Sequence, residues 1–218
     1  MGVQRDTRMV ASMTHDAIIL AGGRGRRLGG LDKATIHLRN GRGRLLDHAI
    51  AAVADARTVV VGPTRRAAPS SVLWAREDPP FSGPAAAVAA GLASLRASAT
   101  VPADFTIVLA VDLAAAEAAI AGLCAEVDGD TAIDGWIAQD PNGRQQPLLA
   151  VYRTGPLHQA CDALSATEGL TNASMRALLT PMRLRNVRLG SALCNDIDTP
   201  AQLAAALHNT TIETGDGL

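Results

Sequence analysis

Strand-length apolar blocks, each stopped abruptly and set among stretches of helical spacing, constrain this chain more than any other feature. Residues 17–21 read Ala-Ile-Ile-Leu-Ala and stop at Gly22-Gly23; residues 58–61 are rich in β-branched side chains and stop at Gly62-Pro63; residues 105–111 stop at Asp112. Blocks without polar alternation are strands covered on both faces. Shorter strands are expected near 72–75, 135–139, 147–152 and 182–189. Helices are expected at 45–56, where Leu45, Leu46, Ala49, Ile50 and Val53 keep helical spacing, and at 84–95, opened by Ser82-Gly83-Pro84. Further helices are expected at 114–127, 156–164 and 172–179, and one opened by Thr199-Pro200 reaches about 207. Strands alternating with helices predict an α/β fold with a largely parallel sheet and helices on both faces. Such sheets bind ligands beyond the carboxyl ends of their strands, so residues 22–33, 76–84, 112–115 and 190–199 are where function is to be sought.

Composition narrows the class. With 218 residues, 48% hydrophobic and 19% charged, the chain can bury one sizeable core, which excludes wholesale disorder. Residues 16–208 are expected to form a single domain between flexible tails at 1–15 and 209–218. A net charge of -1 and 2% aromatic residues argue against a nucleic-acid partner. The longest apolar stretches are too short to span a membrane, and Arg5, Arg8 and His15 interrupt any secretory leader. Cys124, Cys161 and Cys194 form no CxxC pair and suit a reducing compartment, so a cytoplasmic location is expected. His15, His37, His48, His158 and His208 show no ligand spacing, and neither Ser82 nor Cys124 has the flanking residues of a covalent nucleophile.

Of 20 basic residues 19 are arginine; the one lysine is Lys33. It closes a glycine-rich loop, Gly22-Gly-Arg-Gly-Arg-Arg-Leu-Gly-Gly-Leu-Asp-Lys33, that follows the first strand. Glycines let backbone N–H groups approach a phosphate, and Arg24, Arg26, Arg27 and Lys33 add positive charge opposed only by Asp32. The dinucleotide pattern GxGxxG fails because Leu28 occupies the third glycine position, and GxxxxGK[ST] fails because Leu31 follows Gly30. The loop is therefore either a polyphosphate cradle of another kind or a surface turn with solvated arginines.

The stretch Leu20-Ala-Gly-Gly-Arg-Gly-Arg-Arg-Leu-Gly-Gly-Leu-Asp-Lys33 closely resembles the nucleotide-binding signature of nucleoside-triphosphate transferases. Within them it is most similar to the molybdenum cofactor guanylyltransferases, the molybdopterin-guanine dinucleotide biosynthesis protein A family, with loop LAGGxxRRMGGxDK. Weaker matches follow in order. Glu77-Asp78 then Ser82-Gly83-Pro84 resembles the family's acidic residue before GPLAG; Asp112 matches its metal-binding aspartate; Gln146-Pro-Leu-Leu-Ala-Val-Tyr152 resembles QPLxALY; and Asn195-Asp-Ile-Asp-Thr-Pro-Ala-Gln-Leu203 resembles NDIDTPEDL. Where the family has Asp-Met-Pro-Phe this chain has Asp112-Leu113-Ala114-Ala115, and where some members have asparagine it has Gly62.

The resemblance implies a Rossmann-like three-layer sandwich of the nucleotide-diphospho-sugar transferase type. It implies transfer of GMP from GTP to Mo-molybdopterin, with Mg2+ as cofactor and release of pyrophosphate. Leu20, Ala21, Gly22, Gly23 and Asp78 would bind the nucleotide, and Lys33, with Arg27 as helper, would stabilise the departing pyrophosphate. Asp112 would bind nucleotide and metal, with Asp198 as a second metal contact. By residue type alone, Asp112 could instead cap the helix after it, and Asp196 and Asp198 could serve the turn before Thr199-Pro200. The lability of the acceptor implies a transient protein partner that delivers it. The alternatives are a cytidylyltransferase with the same acceptor, a small nucleotidyltransferase acting on a sugar phosphate or phospholactate, and a nucleotide-binding regulatory module without turnover.

Overall fold

The computed structural model describes residues 14–23, 25, 29–38, 43–65 and 69–208, with side chains through Ala204. Most of both expected tails lies outside these residues, but His15, assigned from sequence to the N-terminal tail, already belongs to the first strand. The strands are β1 (His15–Leu20), β2 (Arg57–Val61), β3 (Leu73–Ala75), β4 (Phe105–Ala110), β5 (Gly135–Gln139), β6 (Gln145–Arg153) and β7 (Leu184–Arg188). The helices are α1 (Leu45–Ala51), α2 (Pro84–Ala97), α3 (Ala116–Cys124), α4 (Thr154–Thr167), α5 (Met175–Leu179) and α6 (Pro200–His208). All seven strands form one sheet in the order β3-β2-β1-β4-β6-β5-β7.

The pairs β2–β3, β1–β2, β1–β4 and β5–β7 are parallel, whereas β6 runs antiparallel to both neighbours. The reversal is local in origin. Residues 140–144 are too few for a crossover, and Asp140 Oδ1 ties the turn by accepting from the N–H groups of Asn142 and Arg144, both at 2.9 Å.

Successive strand residues face opposite sides, so the apolar block of β1 feeds two cores. Ala17, Ile19 and Ala21 join Leu46, Leu109, Leu123 and Trp136 on the α1/α3 face. Ile18 joins Val59, Val88, Leu92, Leu157 and Leu178 on the α2/α4/α5 face. The sheet is thus sandwiched between helical layers, as the uninterrupted apolar runs require.

Several helix limits differ from the sequence reading. The helix expected over 45–56 ends at Ala51; beyond it Val53 bonds back to Ile50 and Ala56 to Val53, a tighter i→i+3 winding that keeps Val53 buried. The segment expected over 114–127 is helical only from Ala116 to Cys124. The one expected from 172 starts at Met175, because Asn172 has φ +63° and Ser174 caps the helix by accepting from Ala177 N at 3.1 Å. Two short 3-10 turns, Lys33–Thr35 and Ser191–Leu193, had no periodic signal to reveal them.

Candidate active site

From β1 the chain moves to β2 and β3 on one side of the sheet, while β4 lies on the other. The connections that leave the carboxyl ends of β1 and β4 therefore run to opposite sides, leaving a crevice at the switch point, while the strands themselves stay paired to Leu20 and Ala110. A cleft of about 520 Å3 opens there. Leu20, Ala21, Gly22 and Gly23 line it, and Ala21 N donates to Val61 O at 2.8 Å, extending the pairing of β1 with β2. Gly62 passes so close that a Cβ there would stand 2.7 Å from the Ala21 carbonyl oxygen, so a larger residue would push the two strand ends apart. Beyond Gly23 the loop folds back: Gly30 N donates to Gly25 O at 3.0 Å, and a Cβ on Gly25, whose φ is +55°, would lie 2.2 Å from Leu31 O.

The returning loop delivers Lys33. Asp32 caps its 3-10 turn by accepting from Ala34 N at 3.2 Å, and Lys33 Nζ donates to Asp112 Oδ2 at 2.6 Å and to Asp198 Oδ1. Burial alone would lower the Lys33 pKa; hydrogen bonds and charge from Asp112 and Asp198 outweigh it and raise the ammonium above its ordinary value. Asp198 arrives because Leu113 and Asp196 pair as an antiparallel bridge and Ile197 N donates to Asp112 O at 3.0 Å. Burial first, then the neighbouring charges of Asp112 and Asp198, push the Asp196 carboxyl up to about 6.

The capping alternatives for these carboxylates do not hold. Ala115 stands at the start of α3 without a side-chain cap, so Asp112 is not its cap. At α6 the task falls to Thr199, whose Oγ1 accepts from Gln202 N at 3.2 Å while Gln202 Oε1 accepts from Thr199 N at 2.9 Å.

Of the residues singled out from sequence, Leu20, Ala21, Gly22, Gly23, Lys33, Asp112 and Asp198 surround the cleft. Arg27 lies outside the described residues. Asp78 is exposed and is not among the residues that line the cleft, whereas its neighbour Glu77 is. Glu77 is 7% exposed. Its Oε1 accepts from Phe81 N at 2.9 Å, and its Oε2 is buried without a partner among the described residues.

No motif in the sequence marks Arg65, which the fold brings to the loop. Its guanidinium bonds Asp32 Oδ1 at 2.8 Å and the Ala21 carbonyl oxygen at 3.2 Å, bracing both ends of the glycine-rich loop.

The family model of the MobA-like NTP transferase domain matches residues 17–186, which include the whole glycine-rich loop, Glu77 and Asp112. The chain belongs to the MobA-like NTP transferase family. Solved structures share its fold. Molybdopterin-guanine dinucleotide biosynthesis protein A from Archaeoglobus fulgidus is 18% identical, with 88% of this chain and 96% of that one covered and a TM-score of 0.62. The 2-C-methyl-D-erythritol 4-phosphate cytidylyltransferase of Francisella tularensis is 15% identical, with 88% and 98% covered and a TM-score of 0.68. The same-named enzyme of Thermus thermophilus is 19% identical, with 89% and 98% covered and a TM-score of 0.59. No curated protein sequence matches the chain.

For a MobA-like transferase the arrangement has a definite electrostatic logic. Two carboxylates share one ammonium, which leaves the centre negative beside a loop rich in backbone donors.

Proposed function

We propose that this MobA-like transferase is a guanylyltransferase that moves GMP from GTP to the terminal phosphate of Mo-molybdopterin. The resemblance of the loop and the name of the Archaeoglobus neighbour support the acceptor. The observation that carries the base is Glu77. A buried carboxylate oxygen without a partner is costly and calls for donors. The pairing edge of guanine offers two adjacent donors, N1–H and the 2-amino group, whereas that of cytosine offers one amino group beside two acceptors.

In the transfer, an oxygen of the acceptor phosphate attacks the α-phosphorus of GTP while the bond to the β-phosphate breaks, and pyrophosphate leaves. Leu20, Ala21 and Gly22 form the wall of the cleft against which the nucleotide lies. Lys33 neutralises charge that moves onto the departing pyrophosphate. Asp112 and Asp198 suit Mg2+, a hard cation held by one or two carboxylates together with phosphate oxygens, since both already converge on a single cationic atom. When bound, Mg2+ supplies charge neutralisation at the phosphates.

Pyrophosphate release, measured with Mg2+ and acceptor and with GTP and CTP in parallel, tests this reading. GTP is the expected substrate. Asp112→Ala should abolish release, and Glu77→Gln should lower the GTP-over-CTP ratio of kcat/KM roughly tenfold or more, the weight of one hydrogen bond to a charged group. A CTP preference in the unmodified protein would overturn the base, and binding without release would leave a nucleotide-binding module.

A further inference from the structure

A second cavity, of about 240 Å3, opens on the other flank of Asp112 and shares Ala110, Asp112 and Leu148 with the larger cleft. Its outer rim is the start of β6, set by the β5–β6 turn, and its inner wall includes Leu113, Pro147 and Leu149. The turn is rigidly tied through Asp140, and Gln145 Nε2 donates to Asn186 Oδ1 at 2.8 Å. Arg144 and Gln146 on the rim make no side-chain hydrogen bond or ion pair among the described residues, and the charge of Arg144 acts on Asp196, a carboxylate that also lines the cavity. An exposed guanidinium carried by a turn whose backbone is tied, beside a wall that includes Leu113, Pro147 and Leu149, is suited to a phosphate group attached to a flat organic body.

In-line transfer requires the attacking oxygen to approach the α-phosphorus from the side opposite the departing pyrophosphate. Among the described residues the second cavity reaches Asp112 from a flank other than that of the larger cleft. We propose that this cavity is the acceptor subsite, with Arg144 gripping the terminal phosphomonoester and Gln146 bonding the body of the same molecule. The proposal rests on the nucleotidyl-transfer reading above. It balances simply: an oxygen of the dianionic phosphomonoester forms the new bond to the α-phosphorus, the bond to the β-phosphate breaks with its electron pair, and no proton moves.

Two fluorescent probes test it, 6-hydroxymethylpterin phosphate and the same pterin without its phosphate, titrated by anisotropy with and without a saturating non-hydrolysable GTP analogue. The unmodified protein should bind the phosphorylated pterin at least about tenfold more tightly than the other, the weight of one charged hydrogen bond. Arg144→Gln should erase that preference and Arg144→Lys should restore part of it. Affinity for the GTP analogue, titrated separately, should stay unchanged in both variants. Equal binding of the two probes to the unmodified protein, or an undiminished preference in Arg144→Gln, would overturn the assignment. So would a loss of analogue affinity in Arg144→Gln, which would make Arg144 a nucleotide residue. Failure of the analogue to bind the unmodified protein would instead overturn the transfer reading, and the titration without analogue would still decide the phosphate site.

Discussion

Lys33 shows how much chemistry one side chain carries. Its ammonium is a compact point charge that can sit between two carboxylates and reach phosphate oxygens from the same position. An arginine fork is planar and larger, and it would not fit the same gap without moving one of the carboxylates. Lys33→Ala is therefore expected to lower kcat roughly 10- to 100-fold, the loss of one charged hydrogen bond in the transition state. Lys33→Arg should recover little of it, and steady-state pyrophosphate release measures both. Lys33 was legible because it is the one lysine and closes a recognisable loop. Glu77 was harder: Glu77 and Asp78 are adjacent carboxylates in the sequence, and only the side to which each points decides which lines the cleft.

The glycine-rich loop works as a folded element with a brace. Gly25 permits the turn back toward Leu31, Asp32 caps the turn that presents Lys33, and Arg65 ties Asp32 to the backbone of Ala21. Gly25→Ala forces a Cβ against a carbonyl oxygen at a positive φ, so the loop must shift to relieve it. Affinity for the GTP analogue should drop several-fold or more while the melting temperature changes little, since the loop lies outside both cores; calorimetric titration and a thermal melt separate the two. Motif and glycine spacing made the loop readable. Arg65 was not readable, because nothing in its neighbourhood differs from an ordinary surface arginine until the β2–β3 connection is laid beside Asp32.

The whole molecule supplies the rigidity that these small elements need. Leu123 on α3 is fully buried against the sheet in the same core as Ile19 and Leu109. Leu123→Ala should cost about 2–5 kcal/mol of stability, lowering the melting temperature by roughly 4–20 °C for a chain of this size. Affinity for the GTP analogue, measured well below the transition, should persist, because α3 packs behind the cleft and contributes no lining residue. The sequence by itself determined the alternation of buried strands and helices, the loop after β1 and the aspartate after β4, because burial on both faces and glycine-rich turns leave marks that are local in the chain. The tertiary structure alone decided the meeting of Lys33 with Asp112 and Asp198, 79 and 165 residues away, the inward choice of Glu77 and the second cavity beside Asp112. Those depend on strand order and on which side of each segment faces the crevice, and a contact between distant residues leaves no periodicity along the chain.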